Sequence, residues 1–377
     1  MIKKTQTFPV IIVGAGAAGV GVGIALKDFG IKHFTVLEAD VVGSSFINWP
    51  HETQFITPSF PSTSFGLIDY NAIALNTSPA LTSGKQHLRG IEYAAYLNKM
   101  VQEFDLNVNE NCKVLAVEKR KHIFVIETNQ GSFQCQYLIW ATGEYKFPQI
   151  KPFKGAELCT TFSSIKTYKN FTNDNYIVIG AYESGIDVAY NLSKNKEVEG
   201  ILLIDKTDTI KINEQDPSLS ISPYSRQKIL DVNNLNLDKI VIYVDIEIDK
   251  VVKTADGYSV FSKTDIFKTT HPPILCTGFL GGEHQISNLF DFNENGKPVL
   301  NQFDESVKTK NLYLVGPHVQ HQNVIFCFIY KFRQRFAIVA NNIGKYYGLD
   351  NSDMINKYRK NVMYLDDLTC CEHNCLC

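Results

Sequence analysis

Apolar residues in this chain come in short blocks that end on glycines. Residues 10–13 run into Gly14-Ala15-Gly16-Ala17-Ala18-Gly19, and the small, mostly apolar stretch that follows, through Leu26 and Lys27, suits a helix. After a turn at Gly30 a second block, 34–37, stops on Glu38. The pattern recurs: block 176–179 enters Gly180-Ala181-Tyr182-Glu183-Ser184-Gly185, a helical stretch continues through Leu192, and block 200–204 stops on Asp205. Between the two copies, periodicity predicts a helix over 87–104, with Ile91, Ala94, Ala95, Leu97 and Val101 as apolar positions, and strands over 113–118, 123–128 and 133–139. Residues 206–238 read as polar loop, and 241–245, 248–253 and 258–261 as antiparallel strands. A strand is predicted over 311–315, then a long apolar helix over 324–344, capped by Asn323, with Lys331, Arg333 and Arg335 on its exposed side. Alternating strands and helices in two copies predict an α/β protein with two Rossmann-like units.

Strand, glycine turn, helix, strand and acid is the order that binds a dinucleotide. Gly14 permits the tight turn, Gly16 leaves room for a pyrophosphate, Gly19 lets helix and strand close up, and Glu38 accepts hydrogen bonds from a ribose 24 residues after Gly14. In the second copy Gly180, Ser184 and Gly185 are the corresponding contacts, and Asp205 follows Gly180 by 25 residues. Tyr182 stands where the middle glycine is expected. Either its ring points away and the site works, or the site is weakened or lost. Asp205 suits a free ribose diol and repels a 2′-phosphate, favouring NADH over NADPH, with Lys206 beside it softening the choice. Two dinucleotides in one chain point to electron transfer between them.

Further candidate contacts follow from where blocks end. Residues 39–65, interrupted by Pro50, Pro58 and Pro61, offer Ser44, Ser45, Trp49 and His51. Block 133–139 ends on Trp140-Ala141-Thr142-Gly143, where Thr142 and Gly143 bring backbone to a second face of the ligand. Pro273-Ile274-Leu275-Cys276-Thr277-Gly278 repeats that ending, and block 311–315 closes on Gly316-Pro317-His318. Gly278 and Gly316 are therefore cofactor candidates, with His318, His321 and Gln322 in reach of the same site. Tyr224, Arg226 and Lys228 are candidates within the polar stretch.

At 377 residues there is chain enough for two domains. A net charge of -2 without a basic stripe excludes a nucleic-acid partner. No apolar run reaches the roughly 20 residues of a membrane span, and residues 1–7 lack a signal-peptide core, so a cytoplasmic protein is expected. Of nine cysteines, Cys112, Cys135, Cys159, Cys276 and Cys327 are dispersed and read as buried apolar residues. The remaining four crowd the end, in Cys370-Cys371-Glu372-His373-Asn374-Cys375-Leu376-Cys377. Such a tail exchanges disulfides, binds a soft metal, or does neither.

Taken together, residues 9–345 resemble the two-dinucleotide-binding-domain flavoproteins, in particular the thioredoxin-reductase-like and flavin-containing-monooxygenase-like oxidoreductases. The resemblance implies an FAD domain built from 1–150 and 273–365, an inserted NAD(P) domain over 151–272, and a flexible tail over 366–377. It implies FAD pyrophosphate at Gly14, Gly16 and Gly19, hydride delivery from NAD(P)H to flavin N5, a helix N-terminus aimed at the flavin pyrimidine edge, and, as is common in this architecture, a homodimer. Departures narrow the acceptor. Between 150 and 275 only Cys159 occurs, and none precedes Cys112, so neither usual dithiol is present. Phe153-Lys154-Gly155 begins a monooxygenase signature whose histidine is replaced by Cys159, and Pro317 replaces the familiar acid after the last glycine. The function expected is an FAD-dependent NAD(P)H oxidoreductase acting on a small molecule or disulfide, with Cys370, Cys371, Cys375, Cys377, His318 and His321 as catalytic candidates. A flavin monooxygenase, and an FAD-binding scaffold or sensor with a metal-binding tail, are the alternatives.

Overall fold

The computed structural model describes residues 5–61, 67–172, 174–214, 216–234 and 239–368. Strand β1 (Gln6–Val13) leads into helix α1 (Ala17–Asp28) and β2 (Phe34–Leu37). Short helices α2 (Ser44–Ile47) and α3 (Pro79–Ser83) precede α4 (Gly90–Glu103). Strands β3 (Val108–Asn109), β4 (Val114–Arg120), β5 (Ile123–Thr128) and β6 (Gly131–Trp140) complete the first pass. The sheet order is β3-β2-β1-β6-β5-β4. It is parallel from β3 to β6 and antiparallel over the hairpins β4-β5-β6. Residues 10–12 are fully buried, as an unbroken apolar run must be in a strand covered on both faces.

Beyond Trp140 the chain builds a second sheet. It contains β7 (Thr160–Thr161), β8 (Asn175–Ile179), then helix α5 (Glu183–Ser193), β9 (Gly200–Ile204), helix α6 (Pro223–Asn234) and β10 (Ile240–Tyr243). An antiparallel trio, β11 (Ile248–Thr254), β12 (Gly257–Ser262) and β13 (Ile266–Thr269), precedes β14 (Ile274–Leu275). The second sheet runs β10-β9-β8-β14-β7, parallel throughout. The chain then returns to the first sheet: β15 (Leu312–Leu314) pairs parallel with the end of β6. A two-strand hairpin, β16 (Gln320–His321) with β17 (Val324–Ile325), leads to α7 (Ile329–Tyr346) and α8 (Ser352–Lys360). Among the described residues no helix is long and apolar enough to cross a membrane.

Four expectations need correction. The last long helix starts at Ile329, not 324, because Val324 and Ile325 pair across the hairpin. Arg333 and Arg335 are buried rather than exposed. Arg335 donates to Asp304 at 3.0 and 2.8 Å, and Arg333 donates to the carbonyls of Asp69 and Ala72. The polar stretch holds helix α6, whose buried positions include Ser225 and Lys228, polar residues that an apolar period does not register. Residues 240–243 run parallel to β9 rather than joining the antiparallel trio.

Candidate functional site

The two glycine turns are built alike. Gly14 donates to Leu37 O and Gly180 to Ile204 O, each at 2.8 Å, and each sits at positive φ, +104° and +101°. A side chain at Gly19 would lie 1.9 Å from Gly14 O, and one at Gly185 1.8 Å from Gly180 O, so helix and turn meet only because both are glycine. Gly19, Gly180 and Gly185 shape the turns from behind, and Gly14 also reaches the cavity. The tips are what face the site. Gly16 caps α1 at φ -81°, ψ -168°, and Tyr182 caps α5 at φ -86°, ψ -164°. A Cβ on Gly16 would meet nothing within 4 Å. The tyrosine thus keeps the backbone of the turn, and its hydroxyl donates to Ser218 O (3.1 Å) and Ser220 O (2.9 Å), drawing the ring toward that loop.

Both tips open on one cavity of about 750 Å³ at the carboxyl ends of the parallel strands, where open α/β sheets bind ligands. Gly14, Gly16, Glu38, Ser45, Trp49, Thr142, Gly143 and Gly278 line it, as do Tyr182 and Ser184. Gly19, Gly180, Gly185, Asp205 and Gly316 lie outside the lining, although Pro317 belongs to it. Glu38 accepts from Ala15 N (2.7 Å), Asp40 N (3.0 Å) and Ser44 Oγ (3.2 Å), fixing its carboxylate at the end of β2. Asp205 repeats the arrangement more loosely, accepting from Ala181 N at 3.4 Å and from Thr209 Oγ1. The buried Thr142 Oγ1 has no hydrogen-bond partner among the described residues. An open tip at Gly16 and a fixed carboxylate beyond it fit a flavin adenine dinucleotide.

Polar residues close the far side; of the candidates in the polar stretch Lys228 lines the cavity, and Tyr224 and Arg226 do not. Asp187 on α5 accepts from Thr53 Oγ1 and pairs with Lys228 of α6, both at 2.6 Å, and all three line the cavity. Glu183 accepts from Ser222 N and Ser225 Oγ, each at 2.5 Å, and so caps α6. Tyr224 donates to Gln54 and stacks on His87 at 3.9 Å, which ties α6 to the first unit. Arg226 is spent on the carbonyls of Ile210 and Ile212. None of these pairs shows a local period, so sequence patterning had no signal for them.

The two histidine candidates separate. His318 is clamped between carboxylates, Nδ1 to Glu283 at 2.9 Å and Nε2 to Glu144 at 3.1 Å, and Glu144 lines the cavity. Burial alone would depress this imidazole, but the hydrogen bonds it donates to Glu144 and Glu283 outweigh it and raise its pKa to about 9. His321 instead binds the buried Asp304 at 2.5 Å, beside Arg335, and neither histidine belongs to the cavity lining. Burial would raise the Asp304 carboxyl; Arg335 and His321 hold it below its ordinary range. Cys112, Cys135 and Cys276 are buried thiols as expected, while Cys159 and Cys327 are half-buried; Cys327, like Cys112, lines the cavity. Burial pushes the Cys327 thiol up, away from the thiolate form. Cys370, Cys371, Cys375 and Cys377 lie outside the described residues.

Two sheets, the first mixed and the second parallel, each with a glycine turn opening on a shared cavity, define a chain with two Rossmann-like units. Within that class the chain belongs to the pyridine nucleotide-disulphide oxidoreductase family, which residues 11–316 match. An uncharacterized CzcO-like oxidoreductase of Geobacillus kaustophilus is 29% identical over 194 residues, covering 50% of this chain and 52% of the relative. Bacilliredoxin reductase Bdr of Bacillus subtilis is 27% identical over 186 residues, 49% of this chain and 53% of the relative. The chain thus spans about half the length of the curated relatives it matches. Among solved structures, the bacillithiol disulfide reductase Bdr (YpdA) from Staphylococcus aureus superposes with a TM-score of 0.70 at 23% identity, over 90% of this chain and 98% of that one. At that identity the likeness is one of fold.

Proposed function

We propose that this chain binds FAD at the β1–α1 turn and a reduced nicotinamide dinucleotide at the β8–α5 turn, and uses them to reduce a disulfide or another small acceptor. The observation that carries this reading is the shared cavity: Gly16 at one tip and Tyr182, Glu183 and Ser184 at the other line the same space. Bound flavin supplies the electron-pair chemistry. The chain's own residues bind and orient. The N-terminus of α1 and the bare Gly16 receive a pyrophosphate, and Glu38 accepts from the adenosine ribose. Trp49, Phe55, Phe147 and Phe328 give the cavity apolar walls that exclude water. On this reading 1–150 and 273–365 form the flavin unit and 151–272 the nicotinamide unit.

Asp205, at the end of β9, favours the ribose diol of NADH over a 2′-phosphate. A disulfide acceptor is supported by the family's description. With neither usual dithiol in the sequence, we assign the four tail cysteines to thiol exchange at the acceptor end. Anaerobic turnover with a small aromatic disulfide tests the whole. The expected result is two thiols formed per NADH oxidised, with kcat/KM at least about tenfold higher for NADH than for NADPH. Nucleotide oxidation that requires oxygen and forms no thiol would overturn it.

A further inference from the structure

The tips of the two turns differ in one side chain, and the difference falls on the path of the ligand. At the β1–α1 turn a Cβ on Gly16 would meet nothing within 4 Å, so the bare position opens on free space in the cavity. Tyr182 has the same backbone angles to within a few degrees, so its Cβ leaves the β8–α5 turn in the corresponding direction. The space kept clear at one turn is filled at the other. The ring is 36% exposed and is held at its far end, where the hydroxyl shares its proton between Ser218 O (3.1 Å) and Ser220 O (2.9 Å). The segment that offers those carbonyls is itself fixed. Lys331 of α7 donates to Asp216 (2.6 Å), Ser218 Oγ (2.7 Å) and Ile325 O (3.0 Å), and Ser218 Oγ donates to Ile325 O at 3.2 Å. No side chain caps the start of α5, which leaves N–H groups there of the kind that receive a phosphate.

We propose that Tyr182 is a displaceable plug in the nicotinamide site: at rest its ring stands where the pyrophosphate of the dinucleotide belongs, latched to Ser218 and Ser220, and the nucleotide binds by turning it out. The inference rests on the reading that a nicotinamide dinucleotide occupies the β8–α5 turn. No backbone rearrangement is needed. The turn already has the conformation of its flavin counterpart, and rotation about the Cα–Cβ bond carries the ring off the tip once the hydroxyl lets go. What is given up is one shared hydrogen bond, and the freed hydroxyl finds water in its place. A plug of this kind makes the protein a weaker binder than its turn allows, because the affinity falls with the fraction of molecules whose ring is out. Truncating a side chain at the site should then strengthen binding, the opposite of what removal of an ordinary contact does.

Calorimetric titration of the oxidised holoprotein with NAD⁺, and separately with NADP⁺, tests the plug without turnover. Tyr182→Phe keeps the ring and removes the latch, and should bind NAD⁺ about threefold to tenfold more tightly than the unmodified protein, the range of one ordinary hydrogen bond. Tyr182→Gly removes both, and should tighten binding by about tenfold or more. A tyrosine that serves as a platform for the nucleotide predicts the reverse, weaker binding in Tyr182→Gly. Binding in both variants no tighter than in the unmodified protein overturns the plug and leaves the nicotinamide site standing. A gain in Tyr182→Gly alone, with Tyr182→Phe unchanged, overturns the latch. Should neither nucleotide bind to the unmodified protein or to Tyr182→Gly, the nicotinamide reading itself is contradicted, and the plug with it. Tyr182→Phe decides the matter alone if Tyr182→Gly fails to fold.

Discussion

Gly16 and Tyr182 occupy equivalent backbone positions, with φ and ψ agreeing to within a few degrees. Neither position requires glycine for its conformation. On the proposed reading Gly16 is bare because a pyrophosphate passes it, and Gly16→Val is accordingly expected to fold normally yet lose flavin affinity by more than about tenfold. Flavin retained at full stoichiometry after gel filtration would contradict that role. Gly19 is different: a Cβ there lies 1.9 Å from Gly14 O, so Gly19→Ala should lower stability by about 1–3 kcal/mol, read by chemical denaturation. The spacing of these glycines is local, and the sequence alone showed both turns and their acids. The conformation of Tyr182 was not legible, because the carbonyls that hold its hydroxyl lie 36 and 38 residues away. His318 was singled out for its type, but its clamp joins residues 144, 283 and 318, which no periodicity connects. The raised pKa has a thermodynamic consequence. A histidine at about 9 when folded, against 6.5, stabilises the fold fully below pH 6.5, and that contribution is lost as pH rises through 9. It is on the order of 3 kcal/mol. His318→Gln should flatten the decline of thermal stability between pH 6.5 and 9, whereas an unchanged decline would place its origin elsewhere.

At the level of elements, α6 and α7 show why polar burial escapes a pattern reading. Both helices bury charge: Lys228 on α6 against Asp187, and Arg335 on α7 against Asp304. In α7 the arginine donates to the carboxylate through both Nε and Nη2 and also reaches Gln302 O at 2.6 Å, fixing the helix to the segment before β15. Removing Arg335 leaves the buried Asp304 with His321 as its remaining ion-pair partner, so Arg335→Met should destabilise by about 3 kcal/mol. Replacing Asp304 by Asn as well removes the charge, keeps a residue type that tolerates the left-handed backbone there (φ +61°) and should recover part of that loss, and denaturation curves of the single and double variants check it. The Glu183 cap on α6 is smaller in effect. Glu183→Gln weakens an acceptor serving Ser222 N and Ser225 Oγ and should cost about 1 kcal/mol in the same assay.

Across the whole molecule, the two sheets are joined where chemistry is expected. Thr53 on one unit meets Asp187 on the other, Gln54 meets Tyr224, and Lys331 of α7 pairs with Asp216 at 2.6 Å. These bonds hold two dinucleotide turns, far apart in sequence, around one cavity. The α/β class and the repeated unit were readable from the blocks of apolar residues; the cavity was not, since it is made by contacts between the units. Its geometry makes the second turn the decisive feature, for a flavin that no nicotinamide can reach would leave only a binding protein. The measurement that decides this is anaerobic stopped-flow absorbance of the flavoprotein mixed with NADH and, separately, with NADPH. The account predicts rapid bleaching by NADH, at a rate that saturates with its concentration, and slower bleaching by NADPH. Flavin that stays oxidised at saturating concentrations of both would contradict it.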